Sequence, residues 1–418
     1  MKKINKLPQT FFPGVFFPVL VLFMLLMASV AFLKDAGSAL GVMAGINTPF
    51  LKTASWLATS FFAIGFACLL YKASLRKWLP RLLIIMIGFV AVLAFLSNNL
   101  VAPADAGIPW KFYFVYCGTH LLCPTLISVL LWGYVNQITH LREGLQYYIP
   151  LSILGSICSS LLQRGASHLL IKTSDPLLMS FIYALFLVLM AVVLLMWLNR
   201  KISLDRWTSE EDEAVEKNPG KPILAFGYAL GALGFVQLFL NVNFKESFRK
   251  LFDSPAQYSL FLANHSIMIG AGTIVITLIV LFVGPLLLKY KGWRFTSLIS
   301  PVVAAAFLIA IWLGLPILKY NQLVFGAIGQ ALLFPVMQIA YLSLRKENRF
   351  KTKAWAELIV VPLFVSLASL FNQTSIVYLG TTLKLLPYWI ILPVLVVGTL
   401  IVVLYRIGSR KGLAKASL

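Results

Sequence analysis

Twelve apolar stretches of membrane-spanning length follow one another along the chain. An apolar run of about 20 residues satisfies its own backbone hydrogen bonds as a helix and crosses about 30 Å of hydrocarbon. Charged residues make up only 12% of the 418 positions, about half the fraction that a soluble domain needs to cover its surface. The sequence therefore predicts an all-α, polytopic membrane protein with twelve transmembrane helices. The predicted spans are residues 13–33, 49–70, 79–97, 112–135, 147–169, 177–198, 223–242, 258–288, 295–317, 323–344, 356–379 and 386–405.

Basic residues cluster in the loops on one side of the predicted membrane. With the N-terminus placed in the cytoplasm, that side carries 25 of the 35 lysines and arginines. Because cytoplasmic loops are enriched in Lys and Arg, we predict that both termini are cytoplasmic and that the chain is a multi-pass protein of a bacterial inner membrane. The net charge of +21 then reflects topology and contact with anionic lipid headgroups. No basic patch with interleaved aromatic residues indicates a nucleic-acid partner.

The longest hydrophilic stretch, Asn199 to Lys221, follows the sixth span and holds six of the 14 acidic residues. Six spans, a charged linker and six further spans are similar to the plan of major-facilitator-type carriers. We predict an N-terminal six-helix bundle (1–198), a cytoplasmic linker (199–222) and a C-terminal six-helix bundle (223–418).

Few ionisable residues fall inside the predicted spans, and each is a candidate functional residue because a charge in hydrocarbon is costly. His120, near the start of span 4, either lines a polar cavity or is a neutral histidine bonded within the bundle. Glu357, at the start of span 11, is expected to pair with Lys351 and Lys353. Uncharged polar residues in or beside the spans either contact a solute or bond one another across helices. They are Asn136, Gln137, Gln163, Gln237, Asn241, Gln330, Gln338, Asn372 and Gln373.

Sequence signals of an enzyme are absent. The chain has no glycine-rich phosphate loop with a lysine, no paired carboxylates and no Ser-His-Asp set within the spans. The four cysteines show no metal-ligand spacing, so packing is their expected role. We therefore predict a protein that is not an enzyme and needs no cofactor or metal.

Several strings, in order along most of the chain, resemble motifs of the nucleotide transporter family, the ATP/ADP translocases of intracellular bacteria and plastids. They are Leu33-Lys34-Asp35, Pro49 to Lys52, Leu131 to Ile138 (LWGYVNQI), Asn243-Phe244-Lys245 with Ser254 to Tyr258, Lys291 to Arg294 with Leu298 to Pro301, and Ala340 to Leu344 with Lys351 to Ala354. The resemblance implies a twelve-helix, major-facilitator-like carrier in the lipid bilayer that exchanges nucleotides.

The chain departs from the family pattern at charged positions. Where the pattern has Lys, Glu, Glu, Lys, Arg and Lys, this chain has Gly37, His120, Asn241, Met337, Pro362 and Val365. A triphosphate carries about four negative charges and needs several cationic partners when it is dehydrated. Each lost charged hydrogen bond costs on the order of 1.5–3 kcal/mol. A nucleoside, mononucleotide or dinucleotide therefore fits the remaining residues better than ATP does.

From these observations we predict a carrier of nucleotides or nucleotide-like small molecules that works by alternating access. The predicted substrate-binding residues are Lys34, His120, Asn241, Lys245 and Gln338. Two alternatives remain open at this stage. One is a proton-coupled major-facilitator-type carrier of an unrelated small solute, in which Asp35 or Glu357 titrates, and the other is an interaction protein that uses the acidic linker.

Overall fold

The computed structural model describes residues 11–43, 57–58, 61, 64, 75–98, 114–119, 122, 131–170, 176–202, 220–249, 255–313, 315, 320, 323–379 and 390–409. Nearly all of these residues are helical, and no strand occurs among them. The prediction of an all-α protein is therefore confirmed. Most of the predicted second span, half of the fourth, and the linker from residue 203 to 219 lie outside the described residues.

The helices are numbered here in chain order over the described residues. They are α1 (Phe11–Met43), α2 (Leu75–Asn98), α3 (Trp132–Ile138), α4 (Leu141–Leu170), α5 (Pro176–Lys201), α6 (Gly220–Arg249), α7 (Pro255–Trp312), α8 (Phe334–Leu342), α9 (Lys346–Trp355), α10 (Val361–Leu379) and α11 (Ile391–Gly408). Two π-helical segments, π1 (Leu323–Leu333) and π2 (Ala356–Val360), precede α8 and join α9 to α10.

Six helices in the described part of the chain are long and apolar enough to cross a membrane. These stretches are Gly14–Leu33, Leu178–Lys201, Pro222–Phe244, Gly272–Trp312, Asn348–Thr374 and Ile391–Gly408. They coincide with predicted spans 1, 6, 7, 8 with 9, 11 and 12. Large apolar side chains on their surfaces, such as Phe282 (70% exposed), are left uncovered by the protein, as expected for helices whose outer faces meet lipid.

Two boundaries differ from the predicted ones. The predicted loop between spans 8 and 9 is reduced to a kink in α7 at Gly292, whose φ of 75° is readily adopted only by glycine. The predicted loop before span 11 is mostly helical, because α9 begins at Lys346 and continues through π2 into α10. Charged residues of this stretch, which alone would suggest a loop, therefore lie on a helix.

The described residues before the linker (11–202, the N-terminal half) and after it (220–409, the C-terminal half) each have their own helix packing. In the N-terminal half, α1 packs on α4 and α5, and in the C-terminal half α6 packs on α10. The two halves meet where α4 contacts α7 and α8, and where α3 contacts α9.

Glycines allow this close approach of the halves. A Cβ atom added to Gly133 of α3 would lie 2.7 Å from the ring of Phe350 on α9. One added to Gly144 of α4 would collide with Leu342 of α8. The absence of a side chain at these two positions lets backbones from opposite halves lie against each other, as small residues do at helix interfaces in membranes.

The buried apolar residues show that the halves meet at one end. The larger core cluster contains residues of both halves; its C-terminal-half members come from the start of α6, the kink of α7, the stretch from the end of π1 to π2 and the end of α11. The second cluster, which includes Phe235, Phe239, Phe307 and Phe325, has no member from the N-terminal half. Among the described residues, the shared core is therefore confined to the end that carries α8 and α9.

Candidate functional site

A buried ion pair lies at the end where the two halves share a core. Lys353 of α9 and Glu357 of π2 are one helical turn apart, and Lys353 Nζ lies 2.6 Å from Glu357 Oε1. Their side chains are 0% and 3% exposed. The ammonium group also faces the ring of Tyr341, 4.8 Å from its centroid, which adds a cation–π contact. The expected pairing of Glu357 with the lysines before it is confirmed for Lys353.

Gln338 of α8 connects both members of this pair. Its Oε1 accepts a hydrogen bond from Lys353 Nζ, and its Nε2 donates one to Glu357 Oε1 at 3.2 Å. Gln338 is fully buried. Because an unpaired buried amide is costly, these bonds hold the side chain of Gln338 in one orientation.

The hydrogen bonds continue from Gln338 into the N-terminal half. Asn136 of α3 donates from Nδ2 to Gln338 Oε1 at 3.4 Å and accepts a 2.8 Å hydrogen bond from the hydroxyl of Tyr148 on α4. Both residues are buried. We call Tyr148, Asn136, Gln338, Lys353 and Glu357 the inter-half network, since it runs without interruption from one half to the other.

Arg349 of α9 joins the halves through backbone carbonyls. Its Nη1 donates to the carbonyl oxygens of Asn136 (3.1 Å) and Thr139 (3.3 Å) in the N-terminal half. Its Nη2 and Nε donate to the carbonyl oxygens of Leu342 (2.7 Å) and Leu344 (2.9 Å) in its own half. These carbonyls lie at the ends of α3 and α8, where the last carbonyls lack partners within the helix and attract a cation. The guanidinium group therefore binds two helix ends from opposite halves.

Apolar packing excludes water from the inter-half network. Trp132 of α3 makes edge-to-face contacts with Phe23 (4.8 Å between ring centroids), Tyr148 (5.0 Å) and Phe334 (6.0 Å). Phe334 belongs to the C-terminal half and also lies within 6.0 Å of Lys353 Nζ. Because both charges have lost their hydration where water is excluded, the ion pair is stable only while both charged side chains are present.

The structure brings one of the five predicted substrate-binding residues, Gln338, into the inter-half network. Asn241 lies on α6, partly buried, and its Oδ1 atom is buried without a hydrogen-bond partner among the described residues. Lys34 and Lys245 lie on α1 and α6, and their side chains are outside the described part of the structure. His120 also lies outside the described residues.

Asn241 lies at the same level as another amide with an unpartnered oxygen. α6 and α10 run side by side in the same direction, as shown by the contacts of Gly227 with Val360, Gly231 with Phe364 and Phe239 with Phe371. Continuing this register places Asn241 at the level of Gln373, whose Oε1 is also buried without a hydrogen-bond partner among the described residues. Both amides thus lie in the parts of α6 and α10 that are farther from the inter-half network.

The sequence analysis identified some residues of this site and missed others. Asn136 and Gln338 appeared among the polar residues of spans 4 and 10, and Lys353 appeared among the remaining charges of the family pattern. Tyr148 and Arg349 were not proposed, since an interfacial tyrosine and a loop arginine are both ordinary. The one sequence signal for the position of the network was the family-like string Leu131 to Ile138, which contains Asn136.

Comparison with solved structures defines the class of the fold. The chain superposes with a TM-score of 0.60 on the crystal structure of a Major Facilitator Superfamily transporter, FucP, in the outward conformation, covering 94% of this chain and 98% of that one at 14% identity. A similarity at this level concerns the fold alone. The protein is a helical membrane protein with a major-facilitator-like fold, as predicted.

Comparison of sequences identifies the family. The chain belongs to the TLC ATP/ADP transporter family, whose family model matches residues 15–333. It is 26% identical to ADP,ATP carrier protein 1 of Chlamydia pneumoniae, over 89% of this chain and 78% of the carrier. It is also 26% identical to the chloroplastic ADP,ATP carrier protein 2 of Arabidopsis thaliana, over 89% of this chain and 70% of that protein. The predicted family resemblance is thereby confirmed.

Replacing one member of the buried ion pair is expected to cost more stability than replacing both. Lys353→Met leaves Glu357 as a buried charge without its cation, and Glu357→Leu does the same to Lys353, so each single variant should lose about 3–5 kcal/mol. The double variant Lys353→Met/Glu357→Leu should lose less than either. The measurement is the midpoint temperature of thermal unfolding in detergent.

Arg142→Met serves as the control for this comparison, since Arg142 is an exposed basic residue on α4 at the same end of the molecule. Its stability should change by less than about 0.5 kcal/mol. Single variants that behave like this control, or a double variant whose loss equals the sum of the two, would contradict the described pairing.

Proposed function

We propose that the protein carries a nucleotide or a nucleotide-like solute across a membrane by alternating access between its two halves. The observation that carries the mechanism is the buried inter-half network. The hydrogen bond between Asn136 and Gln338, with those of Arg349 to the carbonyl groups of Asn136 and Thr139, joins the halves at one end and can be broken and remade. The class of solute follows from membership of the TLC ATP/ADP transporter family and from the ADP,ATP carriers to which the chain is similar.

A reversible closure of this kind needs a contact that is specific but polar. A purely apolar interface would hold the halves together by burying apolar surface area, and opening it would expose that surface to water. Opening the inter-half network instead separates the amide of Asn136 from that of Gln338, and Arg349 loses the carbonyl groups of Asn136 and Thr139. Water or a solute can bind all of these groups again. The halves are therefore held in one alignment by hydrogen bonds, which hydrogen bonds to water or to a solute can replace.

The proposed orientation places the inter-half network at the cytoplasmic side. Exposed basic residues lie near it, among them Arg142 on α4 and Arg345 directly before α9, and basic residues favour the cytoplasmic face. In this orientation both termini are cytoplasmic. We further propose that the membrane is a bacterial inner membrane and that the two bundles comprise residues 1–198 and 223–418. The described conformation is closed toward the cytoplasm.

The solute is proposed to carry less charge than ATP. Among the described residues, the buried basic side chains are Arg349 and Lys353. Arg349 binds four carbonyl groups, and Lys353 is held by Glu357 and Gln338. Binding a triphosphate through these cations would require breaking their existing bonds. A nucleoside, mononucleotide or dinucleotide needs fewer cations.

The proposed binding residues divide into two roles. Lys34 and Lys245 attract a phosphate or another anion from the outer side, while His120 and Asn241 hydrogen-bond the solute near mid-membrane. The unpartnered Oδ1 of Asn241 supports this assignment, because a buried acceptor without a donor is costly until a ligand supplies one. Gln338 meets the solute from the C-terminal half when the inter-half network opens.

The solute class can be tested with the purified chain in proteoliposomes and a panel of labelled nucleosides, mononucleotides, NAD, ADP and ATP. We expect saturable uptake of at least one nucleoside, mononucleotide or dinucleotide, at an initial rate about tenfold or more above that of ATP, since one lost charged hydrogen bond corresponds to roughly that factor. Uptake should not depend on an imposed proton gradient. Protein-free liposomes give the background.

Uptake of ATP at the rate of the best mononucleotide would overturn the proposal of a less charged solute while leaving the nucleotide class intact. Uptake driven only by a proton gradient, with no nucleotide or nucleoside transported, would instead favour the proton-coupled carrier of an unrelated solute. The ion pair with Lys353 does not favour that alternative, because it already balances the charge of Glu357.

The proposed binding residues can be tested in the same assay. Asn241→Ala and His120→Ala should each lower the initial uptake rate of the transported solute by roughly tenfold at low solute concentration, the effect of one lost hydrogen bond in a dry site. Thr374→Ala is the control: Thr374 lies at the same end of α10, and its hydroxyl donates to the carbonyl of Leu370 in its own helix. If both alanine variants transport at the rate of this control, the two residues are excluded from the binding site.

A further inference from the structure

The kink of α7 brings an arginine onto the end of α11. At Gly292 the helix breaks, and the next residue, Trp293, is buried and donates from Nε1 to the carbonyl oxygen of Val336 at 2.7 Å. This bond anchors the turn, so that the neighbouring Arg294 lies over the ring of Tyr405, with its guanidinium carbon 3.4 Å from the ring centroid. Gly408 allows the contact, since a Cβ atom there would lie 3.0 Å from Arg294 Cγ.

No acidic residue on α7 or α11 neutralises the positive charge at this turn. Neither the sequence of α7 nor that of α11 contains Asp or Glu. Arg294 Nε is buried and has no hydrogen-bond partner among the described residues. Lys289, Lys291 and Arg406 are exposed around it. Four cations therefore lie at or next to the turn and the end of α11, and one of them, Arg294, holds a buried donor that has no acceptor among the described residues.

Exposed apolar side chains adjoin these cations. Leu286 (52% exposed) precedes the turn, Phe295 (51%) follows it, and Val402 (51%) and Tyr405 (54%) lie on α11. Apolar residues at a helix end that faces lipid can contact acyl chains, whereas the cations can bind a phosphate group. A soluble phosphate would use only the cations, so the combination favours a molecule that has both an anionic head and apolar chains.

We propose that the turn at Gly292 and the end of α11 form a binding site for one anionic phospholipid of the surrounding leaflet. Arg294 and Arg406 bind the lipid phosphate, Lys289 and Lys291 add positive charge at the rim, and the acyl chains lie along Leu286 and Val402. In the proposed orientation this is the cytoplasmic leaflet, which is the leaflet where basic pockets between helices meet anionic headgroups. The site is distinct from the inter-half network and from the proposed solute site.

The site can be tested by native mass spectrometry of the full chain released from nanodiscs that contain phosphatidylcholine and phosphatidylglycerol in equal amounts. The wild-type chain should retain phosphatidylglycerol over phosphatidylcholine. Arg406→Gln, an exposed substitution, should lower this preference on the order of fivefold, as one basic residue near an anionic lipid contributes roughly that factor. Arg294→Gln/Arg406→Gln should abolish it, and Arg294→Lys should keep part of it.

The matched control is Arg200→Gln/Lys201→Gln, which removes two exposed cations at the end of α5, where Lys201 lies over the ring of Trp197 at 5.6 Å. This control should keep the full preference. Loss of the preference in the control to the same extent, or its retention in Arg406→Gln and in the double variant, would overturn the proposal. So would displacement of the retained lipid by inorganic phosphate alone, since that result would indicate a site for a soluble anion.

Discussion

The buried ion pair between Lys353 and Glu357, both in the C-terminal half, fixes the side chain of Gln338, through which the two halves are hydrogen-bonded. A lysine and a glutamate that have both lost their hydration are stable only beside each other. Their hydrogen bonds to Gln338 transmit this requirement to Asn136 and Tyr148 in the other half. Separating the halves at this end therefore breaks the hydrogen bond between Asn136 and Gln338, together with the two that Arg349 donates to the carbonyl groups of Asn136 and Thr139.

The surroundings of the pair show how a helical membrane protein can concentrate its interdomain contact at one end. Arg349 binds the carbonyl groups at the ends of α3 and α8, and Gly133 and Gly144 let the backbones approach. Away from this end, the second apolar cluster belongs to the C-terminal half alone. The polar contacts, the shared apolar core and these two glycines thus lie at the same end of the described structure.

The sequence predicted the helical membrane fold because apolar runs of spanning length report directly on backbone hydrogen bonding in lipid. It also predicted the family, through strings such as Leu131 to Ile138. It did not predict that Lys346 to Trp355 is helical, since its charged residues are typical of a loop when their partners are unknown. The role of Arg349 could not be derived either, because two of its four carbonyl acceptors are about 210 residues away in sequence, and backbone atoms leave no trace in the residue pattern. Gln338 was singled out as a polar residue within a span, but only the fold shows that it bonds Asn136.

The account requires that the inter-half network hold the two halves together in the absence of solute. The most direct measurement is the distance between spin labels attached at Arg142 on α4 and Arg345 beside α9, two exposed positions on opposite halves at the closed end, by pulsed electron paramagnetic resonance in nanodiscs. The account predicts a single narrow, short distance for the wild-type chain and an added population at longer distance when Gln338 is replaced by leucine. A broad distribution dominated by long distances in the wild-type chain, or a distribution that the Gln338→Leu change leaves unaltered, would contradict it.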